Sequence, residues 1–151
     1  NLAILRAVNI PRIYVQIRDP REAIWSLESL HAEYAGTTPN EILDPTQMLA
    51  WVQAFATWIE GWLQAHKDGL PVRFVKFTEL TNHPLHLMSQ ILRESGAGLA
   101  VPNLNGVLEQ RLAKRKASDN EAWRSQLDSE MTAQLWQVIP ASVKEFLDLK
   151  E

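Results

Sequence analysis

Arg18 closes a short β-branched run, and Ser26 stands two turns into the helical pattern that follows, in RIYVQIRDPREAIWSLESLH, residues 12 to 31. A guanidinium presents a planar fork that grips a phosphate through two hydrogen bonds, and a helix start adds backbone amides and partial positive charge. Ser26 lies on the flank of the helix's apolar stripe, so its hydroxyl can turn toward the same cleft as Arg18. Together they predict an anion, phosphate above all. The plainer alternative is that Arg18 pairs with Asp19 or Glu22 and that Ser26 is an ordinary helix residue.

The flanking elements set where such a pair would sit. Ile13 to Ile17, IYVQI, is β-branched and aromatic, and reads as a buried strand. Asp19 suits an N-cap, Pro20 the first helical position, and Glu22 a capping box reaching back to the Asp19 amide. Ala23, Leu27, Leu30 and Tyr34 recur at helical spacing, with Gly36 as the stop. Asp44-Pro45-Thr46-Gln47 repeats the start signal. Met48, Val52, Phe55, Ile59 and Trp62 follow as one stripe that Trp51 and Trp58 widen, and Lys67 and Gly69 end it. Pro71 to Phe77 reads as a second strand, although Arg73 and Lys76 argue against a fully buried position. A third helix carries Pro84 in its first turn, Leu85, Met88, Ile91 and Leu92 on its face, and Gly96 as terminator. Two shorter helical patterns run from Ser129 to Val138 and from Ser142 to Leu149.

This order predicts an α/β layered domain with parallel strands and a helix-rich C-terminal part. Ligands of such layers gather outside the carboxyl ends of the strands, where Arg18 falls. Two strands are few for a doubly wound sheet, and the chain opens inside an apolar run, so residues 1–151 are expected to be a single, N-terminally truncated domain.

Composition narrows the partners. Fifteen basic against eighteen acidic side chains give a net charge of -3, so no global field favours nucleic acid or an acidic membrane, and any anion site must be local. With no cysteine, disulfides, thiolate nucleophiles and cysteine-held metals are excluded, which fits a reducing, cytoplasmic setting. No apolar run reaches the roughly 20 residues of a membrane span, and no secretory layout opens the chain. His83 and His86 stand three apart without an acidic partner, and read as surface residues rather than metal ligands. His31 reads as packed or capping, and no Gly-x-Ser-x-Gly elbow supports a hydrolase.

RDPREAIWS, at the end of a β-branched strand, resembles the 3′-phosphate-binding segment of the cytosolic-type sulfotransferases. These enzymes transfer a sulfuryl group from 3′-phosphoadenosine 5′-phosphosulfate (PAPS) to a hydroxyl or amine. The tryptophan-rich helix with Trp51, Val52 and Trp58 is similar to a helix of that family. VRFVKFTELTNHPLHLMSQILRESG and KRKASDNEAWRSQLDSEM, in the same order, are similar to its later strand-helix segment and its C-terminal nucleotide loop. The resemblance implies a partial P-loop-type parallel sheet flanked by helices. It also implies that Arg18 and Ser26 hold the 3′-phosphate, that Phe77 packs near the adenine, and that Arg115 and Lys116 close over the nucleotide.

Departures mark the limits of that reading. Phe77 stands where the family has a tyrosine, and the C-terminal loop has Ala117, Ser118, Glu121 and Ala122 where the family has glycines. None of the six glycines lies in a lysine-bearing phosphate loop. The 5′-phosphosulfate loop and the catalytic base are therefore expected upstream, and the chain alone is expected to bind nucleotide weakly and turn over nothing. No metal is implied, the acceptor is undefined, and the catalytic residues are unassigned. An inactive nucleotide-binding remnant and a helical interaction module are the two rival functions.

Overall fold

The computed structural model describes residues 2–7, 10–37, 44–96 and 127–150. Along these the elements are α1 (Leu2–Ala7), β1 (Ile13–Ile17), α2 (Pro20–Ala35), α3 (Pro45–Lys67), β2 (Val72–Lys76), α4 (Phe77–Asn82), α5 (Pro84–Glu94), α6 (Ser129–Gln137) and α7 (Ala141–Leu147). The fold is mixed α/β, rich in helix, and β1 and β2 pair in parallel as expected. Two compact units interleave along the chain, one drawn from Asn1–Ile17 and Ala65–Ser118, the other from Arg18–Gln64 and Asp119–Glu151.

In the first unit Ile13 faces Val72 across the sheet, and the register runs through to Ile17 opposite Lys76. Strand alternation buries Val15 and Ile17 and leaves Gln16 exposed. β2 is less regular, with Val72 and Val75 buried and Arg73 and Phe74 half-buried. The chain enters β2 through a tight close at the end of α3. Gly69 adopts φ 86°, in the left-handed region that glycine alone enters without strain, and the Leu70 amide donates to the Ala65 carbonyl at 3.0 Å. The strand expected to reach Phe77 stops at Lys76, and Phe77 instead opens α4. α5 starts after His83. Pro84 takes its first turn, where an absent N–H leaves no intrahelical bond unmade.

The second unit begins with a well-capped helix. Asp19 Oδ1 accepts from the Arg21 amide at 2.9 Å, and Pro20 occupies the first position of α2. Gly36, at φ 70°, stops it as expected, with the Thr37 amide closing onto the Ala32 carbonyl at 2.9 Å. The buried face, however, is not the expected stripe. Leu27 and Tyr34 are 40% and 83% exposed, whereas Pro20, Arg21, Ile24 and Ala32 are buried. The helix has turned to bury an arginine, which is tolerable because the Asp19 carboxylate neutralises it locally.

α3 buries Met48, Val52 and Ile59 as the spacing predicts, and Ala56 and Leu63 join them, while Phe55 and Trp62 are half-buried. Trp51 and Trp58, expected to widen the core, are 48% and 44% exposed. They lie on the shoulder of a narrower buried face. Trp58 stacks on Phe55 with centroids 5.5 Å apart and meets Trp62 edge-on at 6.2 Å, so these rings shield one another. Asp128 caps α6 through the Met131 amide at 2.7 Å, and Ser142 of α7 donates to Glu60 of α3 at 2.6 Å. Leu135, Ile139 and Val143 complete this unit's core.

Candidate functional site

Arg18 follows β1 directly and precedes the cap of α2. Its Nε donates to Glu22 Oε2 at 3.1 Å, and the two side chains are only 13% and 18% exposed. Glu22 therefore serves the guanidinium rather than the Asp19 amide that a capping box would give it. Residues four apart on a helix are neighbours, so Ser26, one turn beyond Glu22, extends the same row. Arg18 and Glu22 thus pair at the start of α2, and the half-buried Ser26 stands one turn further along the helix. Burial pushes the Glu22 carboxyl above its usual value, against the opposing pull of the Arg18 hydrogen bond.

Arg21 was not singled out by its sequence context, yet among the described residues of this unit it is the fully buried charge. Its Nε reaches Asp19 Oδ1 at 3.1 Å and Oδ2 at 3.2 Å, and its Nη2 donates to Oδ2 at 2.8 Å and to the Lys150 carbonyl at 3.0 Å. The Trp136 ring lies under it at 5.1 Å from the guanidinium carbon, and the same ring meets Lys144 Nζ at 4.4 Å. Arg21 therefore fastens the start of α2 to α6 and to the chain beyond α7, and it holds Asp19 in its capping position beside Arg18. The signal available in the sequence is the Asp-x-Arg spacing, which lets an N-cap carboxylate take both an amide and a guanidinium.

Three further ligands are expected from the sequence. Phe77 is half-buried at the head of α4 and belongs to the first unit, and Arg115 and Lys116 lie outside the described residues. A shallow concavity lined by Glu28, Asp44, Gln47, Met48 and Trp51 carries two carboxylates, which would repel a phosphate. His31, expected to be packed or capping, is exposed, with Nδ1 3.6 Å from Glu28 Oε2. His83 and His86 are exposed, as their spacing predicts. Among the described residues no three His, Asp or Glu side chains are grouped to hold a metal ion, and no helix is long and apolar enough to cross a membrane. No protein-family model matches this chain, and comparisons with curated proteins and with solved structures return no match either.

Proposed function

We propose that the chain supplies the 3′-phosphate-binding half of a PAPS-dependent sulfotransferase, with β1 and β2 forming part of a larger P-loop-type parallel sheet. The observation that carries this reading is the row Arg18, Glu22, Ser26 at the strand-to-helix junction. Arg18 brings a guanidinium whose Nε donates to Glu22, and Ser26 brings a hydroxyl one turn beyond that carboxylate. Glu22, raised in pKa by burial, acts as a removable occupant: it takes up a proton or swings aside as the phosphate arrives. In the full reaction the acceptor oxygen gives its proton to a base and bonds to sulfur. The bond from sulfur to the 5′-phosphate oxygen breaks, and adenosine 3′,5′-bisphosphate leaves. Arg18 and Ser26 contribute positioning, by fixing the nucleotide at its far phosphate while sulfur is transferred in line. Phe77, Arg115 and Lys116 are proposed as further nucleotide contacts, and the acceptor is a hydroxyl or amine compound.

Isothermal titration with adenosine 3′,5′-bisphosphate tests the assignment. Binding that disappears in Arg18→Ala and weakens in Ser26→Ala is the expected result; binding indifferent to both overturns it. A second reading, the helical interaction module, draws on Trp51, Trp58 and Leu27, large apolar side chains left exposed in the second unit. It predicts that the nucleotide does not bind at all.

A further inference from the structure

The first unit carries a convergence of cations that the nucleotide reading does not use. Arg12, just before β1, donates from Nη1 to Glu94 Oε2 at 2.5 Å, and the Tyr14 hydroxyl donates to the same oxygen at 2.8 Å. Arg73 of β2 engages the other oxygen, Glu94 Oε1, through Nη1. The sheet sets this geometry. Its register pairs Tyr14 with Arg73, and Arg12 stands two residues before Tyr14, so all three side chains leave from one face. The Arg73 guanidinium lies 6.0 Å from the Tyr14 ring centroid, which steadies its fork.

The donors thus come from the two strands and the residue that enters β1, and the acceptor alone comes from a helix end. Its charge does not match theirs, since one carboxylate faces two guanidiniums. Its position is also unfavourable by itself, because Glu94 is the last residue of α5, where the helix dipole opposes a negative group. Hydrogen bonds from Arg73 and Tyr14 nevertheless hold the Glu94 carboxyl at about 2, a sign of how strongly these donors favour an anion.

We propose that Arg12, Tyr14 and Arg73 form a binding site for a phosphoryl dianion, as inorganic phosphate or a small phosphomonoester, and that Glu94 is its internal stand-in. A tetrahedral dianion balances both guanidiniums and has an oxygen for each donor, where Glu94 has one charge and two oxygens for three donors. Arg12 precedes β1 and Arg18 follows it, so the site shares no residue with the nucleotide grip and stands or falls without it.

Calorimetric titration of the whole chain decides the matter, carried out in an Arg18→Ala background so that the other phosphate grip is silent. The probes are inorganic phosphate and glycerol 3-phosphate, with acetate as the singly charged control. Glu94→Gln is expected to bind at least one phosphate about ten-fold or more tightly than its parent, to lose that binding when Arg73→Ala is added, and to ignore acetate. Gain with both probes assigns the phosphoryl group itself as ligand; gain with one alone assigns the free ion or the ester accordingly. A folded Glu94→Gln with no gain, or a gain that survives Arg73→Ala, overturns the proposal. Should Glu94→Gln fail to fold, Glu94→Asp is read by the same criterion. Loss of the fold in both overturns it too, because the carboxylate is then a structural tie and not an occupant.

Discussion

Removing the Asp19 carboxylate should damage this protein more than removing the arginine it holds. In Asp19→Ala, the fully buried Arg21 guanidinium keeps its charge and loses the carboxylate that grips it at 2.8 to 3.2 Å. Breaking a buried pair from one side costs about 3–5 kcal/mol. The same change strips the N-cap from α2, which adds about 1 kcal/mol. In Arg21→Met the charge itself is gone and an apolar stem of similar length remains, while Asp19 still caps the amide of residue 21. The cost there is the contact with Trp136, about 0.5–2 kcal/mol, and the hydrogen bond to the Lys150 carbonyl, about 1 kcal/mol, with the less buried Asp19 carboxylate left to its amide and to solvent. Urea unfolding followed by tryptophan fluorescence measures both, with Asp19→Asn as an intermediate that keeps a cap and loses the charge. The expected order of stability is parent, Arg21→Met, Asp19→Asn, Asp19→Ala. Refutation would be Asp19→Ala within about 1 kcal/mol of the parent, since a buried pair broken from one side cannot be that cheap. An Arg21→Met less stable than Asp19→Ala would refute it equally.

Two further outcomes follow from particular residues. Glu94 has a folded-state pKa of about 2 against an ordinary 4.5, so the stability it contributes is present above about pH 4.5 and is lost as pH falls toward 2. Glu94→Gln should flatten acid unfolding across that window, and high salt should flatten it in the parent, because the cluster is open to solvent; superimposable acid limbs for parent and variant would count against the network. On α3, Ile59→Ala should cost about 2–5 kcal/mol by cavity formation, whereas Trp51→Ala, at a half-exposed position, should stay near 1 kcal/mol. Denaturation midpoints that reverse this order would mean that the buried face of the helix has been misplaced.

Local rules located most of the elements because the chemistry that starts and stops them is itself local. Asp19 with Pro20, Asp44 with Pro45, and Gly36 and Gly69 act within four or five residues, and each marks the boundary it should. β1 is legible because four β-branched or aromatic residues in five, in a stretch bounded by a proline and an aspartate, have few other uses. Which face of a helix is buried is a different matter, since distant segments decide it. Nothing within a turn of Arg21 announces that Trp136 and the Lys150 carbonyl will cover it, so hydrophobic spacing pointed to Leu27 and Tyr34 instead. Phe77 was drawn into the strand by its β propensity, yet the pairing ends at Lys76, where β1 has no residue left to offer. At the start of α2, the pairing of Arg18 with Glu22 is legible in the sequence as the plainer alternative to an anion site. That Arg12, Tyr14 and Arg73 would meet one carboxylate is not, because it depends on a strand register that joins segments far apart in sequence.

The hydrogen bond from Arg21 to the Lys150 carbonyl also bears on the order in which the protein can mature. During synthesis the opening turn of α2 leaves the ribosome long before its partner exists, so the arginine must wait in water, fully hydrated, while more than a hundred further residues are added. Only once residue 150 has emerged can the guanidinium give up that hydration, so a stretch made more than a hundred residues later latches the start of α2.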